Sequence, residues 1–534
     1  MKRLSYIFVI IAALSLASCH DWLTEKAPGS TDENDFLTSE AAAVQLANGV
    51  YVPLAWEWNT CYYGEWIFGD LCSDDSVKGG ESIQDGSELY DLANFRTTSN
   101  NAAVLDFYRA QFQGIARANK AIQMISAMPD ELTSERMHAR LLGEVKFLRA
   151  YYYFRLVRLF GGVPLVTEPI ESSNDWIQPR ATAEQIYERI VSDLTDAEAG
   201  LWNKSEYDAS DLGRATKGAA QAMLLKANLY RKDYDEAHKW GKKFMEEQST
   251  EYDLQKQYLD NFAIEGENGI ESVFEIQYVE EGTSDWGGDL PNGANGSTRG
   301  TLSTQWMRPR NQNIVIIGED NDGNKIGQYG YGFNKPSQDL YDSFADGDPR
   351  RDYSIIVMSD SQIDSPAQEI QYGNRNISRK YLGFYSDNGK YDRYWNLGHA
   401  TRSPINRREI RLADVLLLYA EACLKANLDL DKGAEALNRV RGRVGLDGVA
   451  LTEDNIRSER RWELAMEGHR WFDLCRWGIA KQTMEAYRLK YTSANGAATT
   501  EGDDMMPFVE GKNELMPIPF EEVRNGRLTQ NNGY

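Results

Sequence analysis

Five aromatic residues crowd into eleven positions, at Trp56, Trp58, Tyr62, Tyr63 and Trp66, where the chain average predicts about one. Trp56 and Trp58 alternate with polar neighbours, and Gly64 breaks any helix through the segment. Flat rings of this kind stack on the apolar faces of sugars, while carboxylates such as those of Asp74 and Asp75 accept bonds from hydroxyls. Further rings follow at Trp286, Trp306, Tyr329, Tyr331, Tyr394 and Trp395, among glycines 282, 287, 288, 293, 296 and 300 and polar residues. For the 56–66 cluster, contact with a ligand or partner and packing in a core are equally compatible with the pattern. For each later ring, core packing is the simpler reading.

Other chemistry finds less support. The five histidines (20, 138, 238, 399 and 469) include no HExxH or similar spacing for a zinc site. The acidic turn 318–323 places glycine and Tyr329 where an EF-hand loop needs its first and twelfth carboxylates, so it reads as a polar turn. There is no GxSxG, Walker loop or GxGxxG, so neither an enzyme nor a bound cofactor has a motif behind it. A stripe of Glu459, Glu463 and Glu467 lies amid apolar residues. It reads as a buried ion-pair network, neutralised by Arg460, Arg470 or other arginines, rather than as a catalytic acid.

The elements that must position these residues are mostly helical. Leu141–Phe160 has apolar residues at helical spacing over a wide face and ends at Gly161-Gly162-Val163-Pro164. Thr182 and Gln185 form a capping-box signature. Ala219–Phe244 reads as two helices hinged at Lys232-Asp233, and Val415–Val440 repeats that tetratricopeptide-like pattern nearly 200 residues later. The fold must therefore bring the two hairpins together. Between them, roughly from Gln255 to Arg402, long loops and short alternating runs such as Ser272–Tyr278 replace helical periodicity. The expectation is a mainly α fold in three parts, 19–250 helical, 251–410 loop-rich with a few strands, and 411–534 helical.

A net charge of −23 opposes binding to nucleic acid or to anionic lipid through a basic patch. The first residues carry a basic start, a fourteen-residue apolar run and Leu16-Ala17-Ser18-Cys19. That run is too short to span a bilayer but suits a signal sequence over residues 1–18. The expectation is a bacterial lipoprotein with a lipid on Cys19 as its only membrane attachment. Cys61 and Cys72 lie close in a loop-like region, where a disulfide and two free thiols are both compatible with export. Cys423 and Cys475 fall in helical patterns and read as small core residues.

Five segments carry a family resemblance, in order along the chain: 144–164 (EVKFLRAYYYFRLVRLFGGVP), 335–350 (KPSQDLYDSFADGDPR), 411–422 (RLADVLLLYAEA), 467–478 (EGHRWFDLCRWG) and 515–534 (LMPIPFEEVRNGRLTQNNGY). In these the chain resembles the SusD/RagB family of outer-membrane nutrient-binding lipoproteins of Bacteroidetes. The resemblance implies tetratricopeptide-like helical hairpins packed on an irregular, loop-rich region. It implies a nonenzymatic lid over a TonB-dependent SusC-like barrel at the outer cell surface, delivering oligosaccharides or, in some members, peptides. Acidic loops with few basic anchors make capture of anionic peptide termini the less natural option. A surface glycosidase is the enzymatic alternative, and a purely structural lid whose aromatics face the barrel is a third.

Overall fold

The computed structural model describes residues 37–57, 64–172, 175–278, 300–310, 315–319, 325–328, 330–358, 374–381, 403–493 and 501–534. Ten helices carry the scaffold: α1 (Glu40–Tyr51), α2 (Ala102–Ser126), α3 (Glu135–Phe160), α4 (Ala183–Gly200), α5 (Lys217–Tyr230), α6 (Tyr234–Glu247), α7 (Leu412–Ala426), α8 (Leu430–Arg443), α9 (Glu453–Glu463) and α10 (Arg470–Trp477). None of the described helices is long and apolar enough to cross a membrane.

α3 is the central helix. The Ser134 hydroxyl caps its start by accepting from the Met137 amide, and Gly161, at φ +66°, ends it. From Arg140 onward nearly every residue is buried, so helices must pack on all sides of it. α2 approaches closely at Gly114, where an added Cβ would lie 2.3 Å from the Tyr152 ring. α4 begins with the expected capping box and is fastened by Asp193, which accepts two 2.8 Å bonds from Arg149.

The two tetratricopeptide-like hairpins, α5–α6 and α7–α8, do come together. Lys226 of α5 donates to Asp414 of α7 at 3.0 Å, and Arg460 of α9 reaches the other oxygen of that carboxylate at 2.8 Å. Burial opposes the charge on Asp414, but Lys226 and Arg460 hold its carboxyl well below the usual range. One continuous hydrophobic core runs from Ala43 to Leu528 and draws on all three parts of the chain. Cys423 is inside it, and half-buried Cys475 packs against it.

Among the described residues there are four antiparallel strand pairs, with only β1 lying wholly outside the loop-rich part: β1 (Ser76–Gly79) with β5 (Phe333–Pro336), β2 (Ser272–Ile276) with β8 (Arg407–Arg411), β3 (Val315–Glu319) with β4 (Lys325–Gln328), and β6 (Ile355–Val357) with β7 (Asn376–Ser378). β3 holds the first two residues of the acidic run, Gly318 and Glu319, and Glu319 pairs with Lys325 of β4. β2 and β8 pair from Ser272 with Arg411 to Ile276 with Arg407, with irregular register between.

The expected ion-pair network exists with different partners. Glu459 and Glu463 lie on α9, whereas Glu467 follows in a turn, so the i,i+4 stripe ends after two members. Arg350 bonds Asp348, Glu459 and Glu463; Arg441 bonds Glu459; Arg443 bonds Glu271 and Glu463; Arg411 bonds Glu271, Glu463 and Glu467. Arg460 and Arg470 are engaged elsewhere, on Asp414 and Asp473 and on Asp74. Burial works against ionising Glu463, yet Arg443, Arg411 and Arg350 hold it well below its ordinary value. It is a structural site.

Candidate functional site

Trp58, Tyr62, Tyr63, Trp286, Tyr394, Trp395 and Cys19 lie outside the described residues, as does Cys61. The remaining candidates divide. Trp56 is buried after the single turn Val52–Ala55, with the Arg117 guanidinium 5.3 Å from its ring centre. Trp66 opens the buried turn Trp66–Gly69. Trp306, in the short helix Ser303–Met307, packs at 5.2 Å against both Tyr331 and Phe333. These three tryptophans are core residues. Tyr331 alone among the described candidates is half-buried, packed against the core.

Asp74 and Asp75 also need correction. Both carboxylates are interior, at 2% and 1% exposure. Asp74 accepts two 2.8 Å bonds from Arg470, and Asp75 accepts one of 2.7 Å from Arg461. Burial notwithstanding, Arg461 and Arg470 hold the Asp74 carboxyl well below its usual range. Carboxylates buried and already paired with arginine are not offered to a ligand. Nearby Cys72 is a buried thiol that donates to the Ile67 carbonyl at 3.4 Å, and burial pushes its pKa well up.

What the fold does assemble is the set of roots from which the aromatic segments leave. Glu57 is the last described residue before segment 58–63; Tyr278 precedes 279–299; Thr301 follows it; Tyr381 precedes 382–402; Ser403 follows that. The Glu57 carboxylate accepts from the Tyr278 hydroxyl (2.8 Å), the Thr301 hydroxyl (2.8 Å), the Leu302 amide (2.6 Å), the Ser303 hydroxyl (3.3 Å) and Arg407 (3.3 Å). Thr301 also donates its amide to Ser403 at 2.7 Å, and the Tyr278 amide donates to Asn406 at 2.9 Å. Arg310 pairs with Gly330 beside Trp306, adding the roots of 311–314 to the same region. Segments far apart in sequence thus start from one patch of the molecule.

Beneath the patch lies a polar cavity of about 40 Å³, lined by Glu65, Arg158, Lys226, Ser303, Tyr381, Arg407, Glu409 and His469 among others. That is room for roughly three waters. Its charges are paired: Glu65 takes Arg155 and Arg158, and Glu409 takes Arg407 and the Tyr151 hydroxyl. Burial raises and Arg407 and Arg155 lower the Glu409 pKa, for a net value of about 2. Burial, with Lys226 adding to it, lowers His469 to about 4, so its imidazole is neutral at pH 7. Among the described residues no group of histidine, cysteine or carboxylate side chains is placed to hold a metal ion.

Spacing in the sequence gave no sign of Glu57 or of Arg407 as organisers. The one available signal was a carboxylate set between two tryptophans, a position that demands a partner if the rings pack.

A family model described as the SusD family matches residues 271–534, and another described as "Starch-binding associating with outer membrane" matches residues 21–229. The chain belongs to the SusD-like family. SusD-like protein P25 of Formosa agariphila is similar along 100% of both chains, with 27% identity over 575 aligned residues. Among solved structures, surface glycan-binding protein A from Bacteroides fluxus shares 26% identity at a TM-score of 0.76, covering 93% of this chain and 100% of that one. Surface glycan-binding protein A from Bacteroides thetaiotaomicron, in complex with laminarihexaose, shares 25% at 0.73 with the same coverage. The SusD-like fold places both hairpins and the loop-rich part as the resemblance implied.

Proposed function

We propose that this SusD-like chain is a nonenzymatic, cell-surface glycan-binding lipoprotein. In this reading it is held to the outer membrane by a lipid on Cys19 and serves a TonB-dependent SusC-like barrel. The observation that carries the proposal is the convergence of loop roots on Glu57. It brings Glu57, the residue before Trp58, together with the described residues that flank 279–299 and 382–402, the stretches whose sequence holds Trp286, Tyr394 and Trp395. Aromatic rings suit a polymer with repeated apolar sugar faces, each stacked ring contributing about 1 kcal/mol. Likeness to a laminarihexaose-binding structure supports oligosaccharides as the ligand class and makes laminari-oligosaccharides the first to try.

The test is calorimetric titration of the chain lacking residues 1–19 against a panel of glycans and peptide digests. Saturable glycan binding without turnover is expected, weakened about tenfold or more in Trp58→Ala with the fold intact. Binding to peptides alone, or hydrolysis of a glycan, would overturn the reading.

A further inference from the structure

We propose that Glu57 is a positioning residue for the ligand: a buried carboxylate that sets the separation of the loop roots. The inference rests on the glycan-binding reading above and adds to it the residue that ties the described ends of these segments together. Every partner of Glu57 is a donor, and the five donors come from segments 278, 301–303 and 407. Each lies within five residues of the end of a described segment, and none belongs to α1–α10. A carboxylate presents about four lone-pair directions, so this one is saturated. Arg407 extends the tie, donating also to the Leu54 carbonyl at 3.3 Å and to Glu409. The Tyr278 phenol remains a donor, because burial and the adjacent Glu57 charge raise its pKa well above the usual value.

A plain core contact would not require this chemistry. A buried charge contributes little net stability compared with an apolar residue of the same volume. Only an acceptor with two oxygens can hold the Tyr278, Thr301–Ser303 and Arg407 donors at one point. Glutamine keeps the length of the side chain but turns an NH₂ toward those donors, so Glu57→Gln should loosen the roots without emptying the core.

The chain lacking residues 1–19 is titrated with laminarihexaose as wild type and as Glu57→Gln, and hydrogen exchange is followed at the Leu302 amide. Expected are faster exchange at 278 and 301–303, unchanged exchange in α5, a melting temperature within a few degrees of wild type, and affinity reduced by about tenfold or more. Wild-type affinity in Glu57→Gln, or unaltered exchange at Leu302, would overturn the proposal while leaving the glycan reading in place. Should the wild type bind no glycan, both would fall together. If Glu57→Gln does not fold, Tyr278→Phe and Thr301→Val each remove one tie. Graded loss of affinity supports the role, and full affinity in both overturns it.

Discussion

Asp70 shows how much a single interior carboxylate reports. It is buried, accepts from the Gly468 amide at 2.7 Å and from Asn334 at 3.2 Å, and has no cation among the described residues bonded to it. Burial pushes its pKa up to about 7, against the opposing effect of those two bonds. An acid whose pKa rises on folding binds its proton more tightly in the native state. The folded chain then holds more protons than the unfolded chain between about pH 4 and pH 7, and stability falls as pH rises through that window. Removing the charge with Asp70→Asn should flatten that part of the profile, the variant gaining on wild type by a few kcal/mol on the order of magnitude between pH 4.5 and 7.5. Urea unfolding at both pH values checks it; parallel profiles would contradict the assignment. Asp74 and Asp75, four and five positions along, were illegible from the sequence for a related reason. An aspartate in a loop looks the same whether it meets a sugar hydroxyl or an arginine 396 residues away, as Asp74 meets Arg470.

At the scale of elements, local signals were readable wherever the cause was local. The α3 pattern, the Thr182–Gln185 box and the break at Lys232-Asp233 all depend on residues a few positions apart, and all three appear in the structure. For Trp66 type and spacing left core and ligand contact equally open, because a ring is buried or exposed according to what the rest of the chain lays over it; Trp306, for which core packing was the simpler reading, is buried. The contact between α2 and α3 gives an element-scale prediction. Tyr152 cannot yield easily at Gly114, since its hydroxyl is fixed to the Val50 carbonyl at 2.7 Å. Gly114→Ala should force the helices apart and destabilise by about 1–3 kcal/mol despite the better helix propensity of alanine. Chemical denaturation would read the loss; a neutral or stabilising effect would show that the ring can shift.

For the whole molecule, the last twenty residues act as a strap. The Met516 amide donates to the Leu159 carbonyl at 2.7 Å, Asn531 donates to Phe160 and Met516, and Ile518 is fully buried. These bonds take up carbonyls at the end of α3 that the helix itself leaves unsatisfied. Deleting residues 515–534 should therefore abolish the single cooperative unfolding transition rather than trim a tail, and scanning calorimetry would show whether it does. Retention of the full transition would mean that α3 ends without it.

The pairing of Asp74 with Arg470 and of Leu159 with Met516 also bears on how the molecule is made. Early and late parts of the chain share one core, so neither has a finished interior alone. A growing chain can cover much of α3 with α2 and α4, but the end of α3 keeps its carbonyls uncovered until the final residues leave the ribosome. Completion of the core must then follow synthesis, through contacts of high sequence separation that form slowly. On the lipoprotein reading proposed above, a polypeptide whose core closes this late suits a secretion channel that accepts only unfolded chains.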